Sequence, residues 1–198
     1  MDNTATTISF AEILKTQTAA AHTALESLPL SESLMSPDLT TDSYTTYLCL
    51  MHDIVLDAEQ NIFPVLKGVV PDLNERAKIK HIEADLDSLG KSYSSNKHPI
   101  SEGLETITEG FAMGVFYVME GSTLGGRVIL KNVLKQLGLD ESTGTSYFAG
   151  YKEKTGSMWK GFLETLLTYE AQNDNKEEII KGANHAFKSI YTHFSQKL

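Results

Sequence analysis

Apolar residues in this chain recur every three or four positions, the period of a helix that buries one face, and no stretch alternates as a half-buried strand would. The first periodic segment opens at Ser9-Phe-Ala-Glu12, a capping box in which the serine caps the first turn and the glutamate reaches back. Ile13, Leu14, Ala21, Ala24, Leu25 and Leu28 continue it until Pro29, which ends it. Residues 30–40, rich in serine and carrying Pro37, read as a loop. A second helix follows Thr41 with Tyr44, Tyr47, Leu48, Met51, Val55, Ala58 and Ile62 on one stripe, and Pro64 stops or kinks it. A third covers roughly 72–89, with Gly90 as its C-terminal cap. The stretch 91–99 resembles a linker but is too short to divide domains. One long segment runs 101–137 and closes at Gly138, and 143–151 is a loop of glycines and aromatics. Helices near 154–171 and 176–196 finish the chain, the last opening on Glu177 and Glu178, where the helix dipole favours carboxylates. The expectation is an all-α fold, one domain over residues 1–198.

Composition narrows the classes. The chain has 198 residues, enough to bury a core without disulfide or metal staples. Seventeen basic residues against 26 acidic ones leave a net charge of −9, which repels phosphate backbones and argues against a nucleic-acid binder. Cys49 is the one cysteine, so no disulfide framework or cysteine-built metal site is available. The opening MDNTATTISF lacks the basic and apolar regions of a signal peptide, and no stretch approaches a membrane span. These features lead us to expect a cytoplasmic protein with no membrane partner.

The segment 110–130, GFAMGVFYVMEGSTLGGRVIL, breaks the habits of an ordinary helix. Glycines stand at 110, 114, 121, 125 and 126, although an interior glycine costs roughly 1 kcal/mol relative to alanine. One reading is close helix–helix packing, since glycines four apart open a groove. The other is a helix that bends at 121–126 and lays bare backbone against a flat ligand. Spacing by itself leans towards packing.

His22 follows three alanines that leave its imidazole sterically open, and Glu26 shares its face four residues on. A carboxylate there can accept the Nδ1 proton and leave Nε2 for a metal. The plainer reading is an exposed histidine beside a solvated glutamate. His52, His81, His98, His185 and His193 lack partners at metal-site spacing and read as surface or satisfied-core residues. GSTLGG is not a phosphate loop, for no strand precedes it and no GK[ST] follows.

Together, HTALE on the first helix and YVMEGSTLGGRVI about a hundred residues later resemble the bacterial heme oxygenases, most closely the branch associated with bacteriophytochromes. SYFAGYKEKTGSMWKGF and the terminal helix fit the same pattern, so the resemblance spans nearly the whole chain. It implies a single-domain heme-oxygenase fold with a kinked distal helix, and heme as both cofactor and substrate. It further implies His22 as the proximal iron ligand, leaving the opposite face for dioxygen. Glu26 then orients the histidine. Gly121, Ser122 and Gly125 become the catalytic distal positions, Gly121 and Gly125 lying over the heme face and Gly126 completing a hinge. Lys15 and Lys160 fall at basic positions near the heme propionates, and Phe187 and Phe194 at the pocket wall. The implied products are biliverdin, ferrous iron and carbon monoxide. Electrons come from an external ferredoxin- or reductase-type donor, and a bacteriophytochrome is an implied acceptor of biliverdin.

Two departures bear on this. Ser122 stands where animal members carry an aspartate, and Glu164 coincides with a family arginine that pairs with a propionate. Both favour the alternative of a heme carrier or sensor without turnover. A heme-free enzyme of the same fold is the other alternative. A di-iron oxidase needs facing carboxylates and histidines that cannot be assembled here, and a thiaminase needs a nucleophilic cysteine, whereas Cys49 between Leu48 and Leu50 reads as an apolar filler.

Overall fold

The computed structural model describes residues 9–140 and 143–196. Most of the N-terminal stretch read for a leader lies outside the described residues. The first capping box forms as written: Ser9 Oγ accepts from the Glu12 amide, and Glu12 accepts from the Ser9 amide at 3.0 Å. It starts α1 (Phe10–Glu26). Pro29 then opens a short helix instead of only closing one, because a first-turn residue needs no amide hydrogen, and α2 spans Pro29–Ser33 inside the expected loop.

Thr40 caps α3 (Thr41–Asp57), which passes through a π-turn at Ala58–Ile62 into α4 (Phe63–Leu66). In that turn the Phe63 amide bonds five residues back to Ala58, a widened turn that carries the chain into Pro64 without ending it. The helix expected over 72–89 is broken. A 3-10 turn, Leu73–Arg76, is followed by extended Ala77, and α5 (Ile79–Ser88) begins afresh. Glu59 makes the break possible by accepting from the Lys78 and Ile79 amides at 2.5 and 2.9 Å. Gly90 ends α5 at φ 71° in a Schellman arrangement, Lys91 N–H to Leu86 C=O and Gly90 N–H to Asp87 C=O.

The long helix α6 (Glu109–Leu137) starts later than expected. Asp57 holds the preceding turn by accepting from the Ile100 and Ser101 amides, and Thr108 caps the helix. Left-handed Gly138 closes it. The glycine and aromatic loop contains α7 (Ser146–Ala149), whose first amides at Ser146 and Tyr147 donate to Asp85 at 2.7 and 2.8 Å. A 3-10 turn (Lys152–Lys154), α8 (Thr155–Asn173) and α9 (Lys176–Ser195) follow. No strand occurs among the described residues.

The centre of the fold is the contact of α6 with α9. Cβ atoms added at Gly114 and Gly182 would lie 1.9 Å from the Ile179 carbonyl and 2.0 Å from the Phe111 carbonyl, so both glycines let backbone meet backbone. Gly110 adjoins Asn175 and Glu178, and Gly114 adjoins Ile179 and Ala183, so the two helices run in parallel register. The first helix also packs on α9 and has little direct contact with α6.

Candidate heme site

His22 is on the exposed side of α1, with 55% of its side chain in solvent. Its ring meets Phe187 of α9 edge-on, centroids 5.5 Å apart at 64°. Phe187 itself is buried and one turn beyond Ala183, so α9 carries both the α6 contact and the support for His22. Glu26 approaches the imidazole at 3.5 Å, but through Nε2, the nitrogen expected to be left free. Lys15 is exposed two turns before His22 and so shares its face, about 10 Å along the axis. Between them Thr18 is buried, and the Tyr117 phenol of α6 approaches its hydroxyl.

The glycines of α6 divide into two groups. Gly110 and Gly114 face α9, as the packing reading expects. Past them the surroundings open. A Cβ at Gly121 would make ordinary contact with the Trp159 ring at 3.6 Å, and one at Gly125 would meet nothing within 4 Å. Leu124 and Val128 stand 42% and 55% exposed, so Gly121, Leu124, Gly125 and Val128, at i, i+3, i+4 and i+7, form one bare apolar stripe. Among the described residues the other two exposed large hydrophobic residues are Met35 and Tyr191, the latter one turn beyond Phe187. An apolar stripe left in water on a helix that is otherwise largely buried in its first half marks a binding surface.

The bend expected at 121–126 does not interrupt the helix, which is continuous over Glu109–Leu137. Ser122 and Thr123 hydroxyls donate to the Met119 and Glu120 carbonyls, both at 2.7 Å, which occupies them locally. The Tyr147 phenol also approaches Ser122. Gly126, expected as a hinge, is buried with its Cβ position 3.4 Å from the Phe148 ring. Lys160 is exposed on α8 and lies 3.9 Å from Glu164, so one of the two departures, Glu164, pairs on the surface with a residue expected to serve a propionate. Phe194 packs edge-on against Tyr47 and serves the core. An open cleft of about 530 Å³ along α8 is bordered by Glu164 but by none of the residues assigned above to heme.

One feature escaped the sequence reading. Glu120, fully buried just before Gly121, accepts from Arg76 Nη1, from Lys78 Nζ at 3.0 Å and from Tyr151 Oη at 2.7 Å. Arg76 is also held by Asp72 and donates to the Met158 carbonyl at 3.2 Å. Burial pushes the Lys78 ammonium below its usual range while Glu120 opposes the shift, and burial pushes the Tyr151 phenol up. This cluster ties the inner side of α6 to the 72–79 segment and to α8. Its signal in the sequence is a lone carboxylate in the apolar run FYVMEG, which requires a buried partner.

Two alternatives lose support from the geometry. Among the described residues no three histidine, cysteine, aspartate or glutamate side chains are grouped to hold a metal ion, as a di-iron centre requires. Cys49 is buried and its thiol is pushed up by burial, the reverse of an activated nucleophile.

The chain is similar to known proteins along most of its length. Heme oxygenase PigA of Pseudomonas aeruginosa is 29% identical over 174 residues, 84% of this chain and 81% of that protein. The crystal structure of NO- and CO-bound heme oxygenase from Neisseria meningitidis superposes with a TM-score of 0.78 at 25% identity, covering 96% of this chain and 94% of that one. Heme oxygenase from Leptospira interrogans superposes equally well, TM-score 0.78, at 20% identity and 95% and 99% coverage. The family model described as heme oxygenase matches residues 8–196, and this chain belongs to the heme oxygenase family.

Proposed function

We propose that this protein cleaves heme with dioxygen and external electrons to biliverdin, ferrous iron and carbon monoxide. The observation that carries the reading is the apolar stripe Gly121–Leu124–Gly125–Val128, in which Leu124 and Val128 stand exposed and a Cβ at Gly125 would meet nothing within 4 Å, while Trp159 reaches Gly121. When bound, heme supplies the iron at which dioxygen is reduced and the porphyrin edge that is oxidised. The chain supplies position. His22 offers a ring nitrogen to iron, and Phe187 fixes the tilt of that ring. Glu26 sets its proton and basicity once the imidazole has turned its other nitrogen to the carboxylate. Gly125 lets a flat ring come close to the helix, where any side chain would hold it off.

Lys15 pairs with a propionate at one end of the site. Lys160 is the second propionate partner in this reading, reached by leaving its weak surface pair with Glu164. Electrons come from a ferredoxin- or reductase-type donor. The free thiol of Cys49 accords with action in the cytoplasm. A bacteriophytochrome is the biliverdin acceptor that the sequence resemblance suggests.

Hemin added to the purified protein should give a Soret band of a histidine-ligated complex. Reductant under air should then replace that band with the absorbance of biliverdin. A stable Soret band without turnover would assign a carrier instead, and no Soret shift would assign a heme-free enzyme.

A further inference from the structure

Asn132 of α6 clamps the turn that follows α2. Its Nδ2 donates to the carbonyls of Leu34 and Ser36, both at 2.9 Å, and its Oδ1 accepts from Gln136 Nε2 at 3.2 Å. Both amide hydrogens are therefore committed to the two carbonyls that flank Met35. Leu34 turns into the core at 1% exposure, whereas Met35 is turned outward at 50%. A single exposed methionine needs no explanation by itself. The backbone on either side of this one is tied to Asn132, one turn beyond Val128, which sets its exposed side chain near the end of the bare stripe of α6.

The position along the site follows from the same helix. Thr18, one turn from Lys15, approaches Tyr117. Met35 is fixed at Asn132, fifteen residues further along α6 (117 to 132) and about 22 Å at helical rise. Lys15 and Met35 thus stand at opposite ends of the stretch that holds Gly121, Gly125 and Val128. A heme has carboxylates on one edge and only methyl and vinyl groups on the opposite one, so it has an ionic and an apolar end to match. An unbranched, polarizable thioether adapts readily to a flat apolar edge.

We propose that Met35, held by Asn132, is a specificity-determining wall of the heme site that receives the apolar edge of the porphyrin and so fixes which way the ring is turned. This rests on the heme reading of α6. Lys131 and Lys135, three and seven residues past Val128 and exposed, continue the same face, with Arg127 beside it, and offer a rival placement with the propionates at the Met35 end.

The test titrates hemin into wild-type protein and the Met35→Leu, Met35→Glu and Met35→Lys variants, and records the heme-methyl NMR signals of the ferric cyanide complexes. All three apoproteins should melt as wild type, since the side chain is already half in water. Both charged variants should bind hemin roughly tenfold more weakly, about the loss of one apolar contact plus the desolvation of the charge. Their methyl signals should divide into two ring orientations, while Met35→Leu keeps one. Asn132→Ala, which frees the turn, should also give two orientations. Unchanged affinity and methyl pattern in both charged variants would overturn the proposal, as would tighter binding by Met35→Lys, which would put the carboxylates at this end. His22→Ala measured alongside separates the failures: if its axial ligation is lost while the Met35 variants are silent, only the inference about Met35 falls. Intact histidine ligation in His22→Ala would overturn the site reading beneath it.

Discussion

Gly114 and Gly125 lie three turns apart on α6 and meet opposite surroundings. A Cβ at 114 would stand 1.9 Å from the Ile179 carbonyl, and one at 125 would have nothing within 4 Å. Gly114→Ala must therefore part α6 from α9 and should cost about 3 kcal/mol, at the upper end of overpacking losses. Gly125→Ala should instead raise apoprotein stability by about 0.5–1 kcal/mol through helix propensity. Urea denaturation of the two apoproteins measures both. Equal losses would mean that Gly125 is also a packing residue. With heme the order should invert, Gly125→Leu keeping its fold and losing turnover.

The buried Glu120 cluster should be expensive to open. Glu120→Ala leaves the Arg76 and Lys78 cations without their shared carboxylate and should cost about 3–5 kcal/mol. Lys78→Met should cost less, because Arg76 and Tyr151 still satisfy Glu120. Chemical denaturation with an unchanged m-value would show the difference as stability alone. A loss below about 1 kcal/mol for Glu120→Ala would mean that water enters and solvates the cations.

What was legible in the sequence was local. The Ser9–Glu12 box, Gly90 and Gly138 each act through atoms within a few residues, and each formed where it was read. The elements whose bounds differ from the sequence expectation are capped from a distance. Asp85 holds the start of α7, Glu59 holds the start of α5, and neither partner is visible in a short window. The glycine segment contained two functions in one run, and only the parallel placement of α9 tells Gly114 from Gly125. The heme roles proposed for His22 and Gly125 come from the family resemblance and not from spacing. Phe187 was named there too, but its contact with His22 needed the fold.

His193 gives the fold a dependence on pH. It is 4% exposed at the end of α9, and its Nε2 lies 2.9 Å from the buried Asp53 carboxylate, which also accepts from Tyr93. Burial lowers the imidazole pKa from its usual value, with Asp53 opposing and Lys97 reinforcing the shift. The folded state thus prefers neutral His193. Its contribution is complete above the unfolded value of about 6.5 and is lost as the pH falls from there towards the depressed folded value. Melting temperatures from pH 7.5 to 5 should fall more steeply for wild type than for His193→Gln, whose amide can still donate to Asp53. Parallel curves would remove His193 from the acid sensitivity.

The central claim is that the exposed, Phe187-supported His22 ligates the heme iron, and its most direct measurement is the iron–histidine stretch in resonance Raman spectra of the ferrous heme complex. Wild type should show that mode. His22→Ala should lack it and regain an axial ligand only when free imidazole is added, while its apoprotein melts normally because the side chain is more than half in solvent. An unchanged iron–histidine mode in His22→Ala would contradict the account.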